Sequence, residues 1–269
     1  MGGAVKAEFR KFFTTRMWWG MAIGVFLCGA LLAVFFALVV AGSKAQGAAG
    51  PGSLPAPTLA DTAMVSTVYT GGLSTAYLLT LAVGVMAIGS EYRHKTITST
   101  FLAAPRRVRV MAAKVISLLG IGAFYGVVFL VGSVGVGATT IALKGFSPFP
   151  EVGPLTRTLA LSLLVLGLWS LVGLGAGILI PNQVAAILIA VGVAWILEPL
   201  LVFGLSFASW GQPIVPYLPS QATSAMVGQI NANPNVELLS WWAGALLLVA
   251  YAALLAGIGS LLTVRRDVT

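Results

Sequence analysis

Charged residues are scarce in this chain of 269 residues. Lys, Arg, Asp and Glu make up 8% of it, whereas soluble globular domains carry roughly 25%. Hydrophobic residues account for 58% of the chain. This composition excludes a soluble globular domain and predicts an all-α integral membrane protein with a single transmembrane domain.

Cysteine and histidine occur once each, as Cys28 and His94. A single cysteine excludes an intrachain disulfide. With one histidine and no HExxH motif, no nucleophile–base pair, paired carboxylate or metal cluster can be assembled at a common depth, so we predict no catalytic residue and no metal site. No lysine follows a glycine anywhere, so the chain also lacks the GxxxxGK[ST] loop that binds nucleotide phosphates.

Long uncharged runs are abundant. Six reach or approach the roughly 20 residues that a helix needs to cross a bilayer. They are predicted at about 17–40, 68–89, 115–143, 159–180, 184–203 and 238–264. The alternative for the first run is a cleaved signal peptide that ends in the small residues SKA at 43–45, but the run is longer than the usual ~7–15 residues of such peptides.

The few basic residues are distributed unequally between the two sides that six spans define. Both termini fall on one side, which holds twelve of the fifteen Lys and Arg residues; Lys44, Lys144 and Arg157 are on the other. The positive-inside rule therefore predicts that both termini are cytoplasmic in a multi-pass protein of the plasma membrane. The basic residues that give the net charge of +8 flank apolar runs and are not interleaved with aromatic residues. This arrangement favours a role in membrane orientation over nucleic-acid binding.

The segment before the first span has the pattern of an amphipathic helix. In residues 3–16, Val5, Phe9, Phe12 and Phe13 fall within about 100° of helical arc, and polar residues fill the rest. We expect an interfacial helix whose aromatic face enters the acyl boundary of membrane lipid. The alternative is a frayed basic tail.

Two features lie toward the side of the membrane opposite to the termini. Glu198 is the single Asp, Glu, Lys or Arg residue within the six runs. It lies about 22 Å from the inner end of the fifth run, which places it in the outer third of the membrane. Beside Pro199, which frees a backbone carbonyl, it is a candidate for a transport path or gate; the alternative is a glutamate that snorkels to the interface. The external segment 204–237 is expected to be partly embedded, with one short helix in SQATSAMVGQ.

Small residues four positions apart recur in the spans. The pairs are Gly20 with Gly24, Gly122 with Gly126, and Gly173 with Gly177. Such pairs allow close helix approach, either within the chain or across a dimer interface.

Seven of the twenty-two charges lie in one internal segment, EYRHKTITSTFLAAPRRVRVMAAK, at 91–114. Residues 91–103 are predicted to form a short cytoplasmic helix, with Glu91 in its first turn and paired with Lys95. Pro105 ends this helix and suits the first turn of the next, where arginines meet the headgroups. A solvated loop that serves only to set topology is the alternative.

These residues carry a resemblance to a known family. The order of KAEFRKFFTTRMWW, a second span that ends in EYRHKTITSTFLAAPRRVRVMAAK, and YLPSQATSAMVG before the last span resembles the membrane subunits of ATP-binding-cassette exporters of the ABC-2 type. The resemblance covers the whole chain in span number, order and loop character. Lys95 stands where glycine is frequent in such runs.

The resemblance implies a fold, a function and partners. Residues 91–103 would be the coupling helix, which contacts an ATPase subunit through Glu91, Tyr92, Arg93, His94, Lys95, Thr96 and Ile97. The N-terminal segment would be the connecting helix, with Phe9, Arg10, Lys11, Phe12 and Phe13. Two ATPase subunits would bind ATP and Mg, this chain would bind no cofactor, and a second permease subunit, identical or homologous, would complete the complex. The implied cargo is a drug, peptide, lipid or polysaccharide; an ATP-independent channel or carrier and a non-transporting membrane scaffold are the alternatives.

Overall fold

The computed structural model describes residues 2–46, 61–93, 107–208, 210–229 and 236–266. Within these ranges the chain is helical and contains no strand. Six helical segments are long and apolar enough to cross a membrane, as the sequence predicts. They are Met17–Ala41, Thr62–Arg93, Val110–Leu143, Val152–Leu179, Gln183–Phe207 and Trp241–Leu261.

The α-helices that build these spans and their connections are numbered in chain order. They are α1 (Gly2–Phe13), α2 (Met17–Gln46), α3 (Thr62–Thr70), α4 (Leu73–Arg93), α5 (Arg107–Leu143), α6 (Val152–Leu179), α7 (Gln183–Gly192), α8 (Glu198–Phe207), α9 (Pro219–Val227) and α10 (Trp241–Arg266). A π-helical turn, Val193–Leu197, joins α7 to α8, and a 3-10 turn, Val215–Tyr217, precedes α9. The second span consists of α3 and α4, and the fifth consists of α7, the π turn and α8.

The second and fourth spans form the centre of the bundle. Within an 18-residue apolar stretch of each span, 67% of the residues in the second span and 78% of those in the fourth are buried, whereas the figure is 17% in both the fifth and the sixth. Helices α4 and α6 approach closely because Gly84 faces the carbonyl oxygen of Ser170, and Gly173 faces that of Leu81. The fifth and sixth spans therefore lie at the periphery and present apolar side chains outward.

Local sequence explains where several helices start and stop. The Asn182 side chain accepts hydrogen bonds from the backbone N–H groups of Val184 (3.1 Å) and Ala185 (3.2 Å), so it caps the start of α7. Helix α9 ends at Gly228, whose φ of 66° suits a residue without a side chain. The π turn ends two residues before Pro199, which lacks the N–H that a regular α-helix would use to bond back into this turn.

The glycine pairs that the sequence singles out mostly pack within the chain. Gly122 faces Gly167 of α6, and Gly126 faces Leu163 of the same helix. Gly173 and Gly177 both face α4, and Gly24 lies near Leu79. Gly20 has no neighbouring group where a Cβ would project. Packing inside one chain thus accounts for the second and third pairs.

The boundary after the second span differs from the sequence expectation. Helix α4 continues without a break to Arg93, so Glu91 lies in the last turn of a long helix and not in the first turn of a new one. The rest of the predicted short helix, 94–103, lies outside the described residues. The short external helix is observed as α9, and its Ala222, Thr223, Met226 and Val227 are buried.

Candidate functional site

Four charged side chains from three helices meet at one end of the bundle, which we call the α1 end. Lys11 Nζ of α1 lies 2.5 Å from Glu91 Oε1 at the end of α4. Lys114 Nζ of α5 lies 2.6 Å from the same oxygen. Lys114 Nζ also lies 3.0 Å from each carboxylate oxygen of Glu8 on α1. These four residues, the charged cluster, contain two lysines and two glutamates, so their formal charges balance.

The centre of the charged cluster is buried. The side chain of Lys114 is 2% exposed and that of Glu91 is 3% exposed, while Lys11 at the rim is 46% exposed. Removing charges from water is costly unless each has a partner at close range, and removal of one partner leaves the other uncompensated. The cluster therefore fixes the relative positions of α1, α4 and α5.

Aromatic contacts attach α1 to the same place. Phe12 is buried and packs edge-on against Tyr125 of α5, with ring centroids 6.0 Å apart. Phe13 packs edge-on against Phe124, with centroids 5.4 Å apart, and Phe9 covers Gly120. The aromatic face of α1, which the sequence assigns to the acyl boundary, thus packs in large part on the third span. Arg10 is exposed.

The contact residues implied by the family resemblance have different environments. Glu91 is turned toward lysines of its own chain, Tyr92 is half-buried and Arg93 is exposed. His94, Lys95, Thr96 and Ile97 lie outside the described residues, and with them the predicted pairing of Glu91 with Lys95. The contact with an ATPase stays a prediction, and Arg93 is the described member whose exposure leaves it accessible to a partner.

Sequence reasoning missed the contacts that Lys114 makes with Glu91 and Glu8. Lys114 is 23 positions away from Glu91, and Glu8 is 106 positions away from Lys114. Neither separation is a helical repeat, so no local pattern could pair them. The available signal was indirect: Glu8 is the single acidic residue in a basic segment, and Lys114 stands at the start of an apolar run.

A second candidate site lies where the fifth span meets the central helices. A cavity of about 410 Å³ opens there, which we call the Glu198 cavity. Its walls come from α4, α6, the fifth span and α10, and the start of α9 contributes to it. Besides Glu198, its lining includes Leu81, Trp169, Val172, Ala190, Val193, Ala194, Leu201, Pro219, Tyr251 and Leu255.

Glu198 connects this cavity to α9. The residue is 4% exposed, and its Oε1 accepts a hydrogen bond of 2.5 Å from the backbone N–H of Ser220. Ser220 is in the first turn of α9, where the N–H groups have no partner within the helix. The carboxylate therefore caps a helix that is distant in the chain, and it does not snorkel to a water interface. Pro199 is exposed and is not among the residues that line the cavity.

The aromatic wall of the cavity is held in place by hydrogen bonds and stacking. Trp169 Nε1 donates to Thr223 Oγ1 of α9 at 2.8 Å, and its ring stacks on Tyr77 with centroids 4.0 Å apart. The Tyr251 hydroxyl donates to the carbonyl oxygen of Tyr217 at 3.0 Å. The Trp169 contact holds α9 over the cavity, and the two hydrogen bonds use the N–H of Trp169 and the O–H of Tyr251.

Neither site has the composition of a metal centre. Within the described ranges, no three His, Cys, Asp or Glu side chains lie close enough to hold a metal ion.

Comparison of the chain with family models, with curated proteins and with solved structures yields no match.

Proposed function

We propose that this chain is the membrane-spanning permease subunit of an ATP-driven exporter of the ABC-2 type. In this proposal it pairs with a second permease subunit, identical or homologous, and with two separate ATPase subunits that bind ATP and Mg. The complex moves its cargo outward across the plasma membrane, and the α1 end faces the cytoplasm. The observation that carries the proposal is the charged cluster, which joins α1, the end of α4 and the start of α5 into one unit.

The mechanical argument follows from packing. Residues 94–106 connect α4 to α5, and both helices are held together beside this connection by Glu91 and Lys114. A partner that pushes on the connection therefore moves both helices, because their ends cannot separate without exposing buried charge. Helix α4 transmits the movement to α6 through the contact of Gly84 with Ser170. Closure of the ATPase pair on ATP would shift these helices as rigid elements between inward-facing and outward-facing states.

One observation favours a second candidate, an ATP-independent carrier. A buried carboxylate such as Glu198 is the kind of group that binds a coupling ion inside a membrane. The carrier would need no ATPase at the α1 end and would transport cargo as a purified chain. The exporter, by contrast, requires an ATPase at the α1 end and does not transport cargo as a purified chain.

Copurification with an ATPase tests the proposal. We expect the tagged chain, purified from its native membrane, to retain a subunit that carries a GxxxxGK[ST] loop and hydrolyses ATP. The double charge reversal Arg93→Glu with Lys95→Glu should abolish this association. Lys144→Glu is the matched control, because Lys144, like Arg93, is exposed but lies beyond the other end of α5.

Two results would contradict the exporter. The first is an ATPase association that survives the double reversal as well as it survives the control. The second is cargo transport by the purified chain in vesicles without any nucleotide. Thermal unfolding of each variant in detergent checks that loss of association does not reflect loss of the fold.

A further inference from the structure

We propose that the Glu198 cavity binds a hydrophobic organic cation, a molecule whose single positive charge is spread over or shielded by an apolar body. This inference rests on the proposed function in that it names the cargo class of the exporter. Its physical basis is that the cavity has one buried carboxylate, which suits a positive charge, and an otherwise apolar lining, which suits an apolar body. Binding of such a ligand can be measured without the ATPase.

Charge selects a cation. Among the described residues that line the cavity, Glu198 is the single carboxylate, and no lysine or arginine is present. Its hydrogen bonds come from the backbone and the side chain of Ser220, which are neutral donors. The first turn of α9 adds only the partial positive charge of a helix dipole, about half an elementary charge. A carboxylate buried at 4% exposure with this incomplete compensation gains most from a cationic ligand.

The remaining lining selects an organic cation over a metal ion. Ions such as Ca²⁺ take roughly six to eight oxygen ligands. The side-chain oxygens that the lining offers are the two of Glu198 and the one of Tyr251, which is too few for such an ion. Aliphatic side chains and the Trp169 ring supply most of the surface, which suits an apolar body. A diffuse charge loses less hydration on entry than a compact one.

Size and access are consistent with this ligand. The volume of about 410 Å³ falls in the range of roughly 300–1,000 Å³ in which proteins bind small organic molecules. The wall that the fifth span contributes is peripheral: Ile189 and Val193 line the cavity and are 52% and 45% exposed. A hydrophobic cation dissolved among the acyl chains thus has to pass a single peripheral helix.

Two probes of nearly the same shape and opposite charge test the proposal. The purified full chain in lipid nanodiscs is equilibrated with tetraphenylphosphonium or with tetraphenylborate, and binding is measured by equilibrium dialysis against empty nanodiscs. We expect the chain to bind the phosphonium at least about tenfold more tightly than the borate. The attraction between two unit charges at close range in a partly desolvated site exceeds the free energy that a tenfold difference in affinity represents.

Variants separate charge from capping. Glu198→Gln keeps a side-chain oxygen that can accept from Ser220 but removes the charge, so the preference for phosphonium should fall about tenfold or more. Glu151→Gln, an exposed carboxylate before α6, is the control and should leave the preference unchanged. Ala190→Phe fills the cavity but keeps the charge, and it should weaken phosphonium binding.

Equal binding of the two probes by the unaltered chain would overturn the proposal and leave Glu198 as a cap of α9 alone. An unchanged preference in a folded Glu198→Gln variant would overturn it as well, because the charge would then be irrelevant. Failure here is distinct from failure of the exporter: this measurement contains neither ATPase nor nucleotide, whereas the copurification contains no probe.

Discussion

At the scale of the residue, Lys114 is the centre of the charged cluster. Its ammonium group contacts carboxylates on two other helices, at 2.6 Å from Glu91 and 3.0 Å from Glu8. The side chain is 2% exposed, so water cannot replace either partner. Glu91, by contrast, retains Lys11 as a second partner when Lys114 is lost.

Lys114→Met should destabilise the fold by about 3 kcal/mol, because it leaves buried carboxylate charge with too few partners. The midpoint of thermal unfolding in detergent measures the effect. Lys144→Met removes an exposed lysine that directly follows the other end of α5, and it should change stability little.

A double-mutant cycle isolates the interaction. Lys114→Met combined with Glu91→Gln should cost less than the sum of the two single substitutions, since the second change removes the charge that the first leaves unpaired. Strict additivity would show that the two residues do not interact.

At the scale of the element, the contact between α4 and α6 depends on two glycines. The backbone of each helix lies where a Cβ of the other would project: Gly84 faces the Ser170 carbonyl, and Gly173 faces the Leu81 carbonyl. Backbone atoms in packed helices cannot move aside as a flexible side chain can. This contact explains why the two most buried spans are neighbours.

Gly84→Ala should therefore destabilise the chain by about 1–3 kcal/mol, because the added methyl group forces α4 and α6 apart. Gly135→Ala in α5 is the matched control: no group lies within 4 Å of the point to which its Cβ would project, and alanine favours a helix. Both are compared by thermal unfolding in detergent. A Gly84→Ala protein as stable as the control would contradict the close approach.

At the scale of the whole molecule, the charged cluster and the Glu198 cavity lie at different places along the same central helices. Helix α4 contributes Glu91 to the first and Leu81 to the second. These positions are 10 residues apart, or about 15 Å of helix at 1.5 Å per residue. Helix α4 is thus the direct connection between the proposed ATPase contact and the proposed cargo site.

The proposed orientation can be measured by cysteine labelling. In a Cys28→Ala background, Lys144→Cys should react with a membrane-impermeant maleimide in intact cells, and Lys6→Cys should react only after permeabilisation. Both positions are exposed, so accessibility within the protein does not bias the comparison. The opposite pattern would invert the orientation inferred from the basic residues.

Much of the architecture could be predicted from local sequence. The length of an apolar run and its lack of charge predict a membrane-capable helix, because bilayer thickness sets the required length independently of the rest of the protein. The six runs and the short helix before the last one follow in this way. Boundaries were less accurate: α4 continues to Arg93 because a charged last turn is stabilised by partners that local sequence does not show.

What the sequence by itself determined is the all-helical, six-span organisation, since hydrophobicity and helical periodicity are properties of neighbouring residues. Only the tertiary structure decided that Glu91 pairs with Lys11 and Lys114, and that Glu198 caps α9 beside an apolar cavity. These contacts join residues 80, 23 and 22 positions apart. Their physical reason is packing: once Gly84 and Gly173 bring the central helices together, each buried charge is left with those partners that the bundle places within reach.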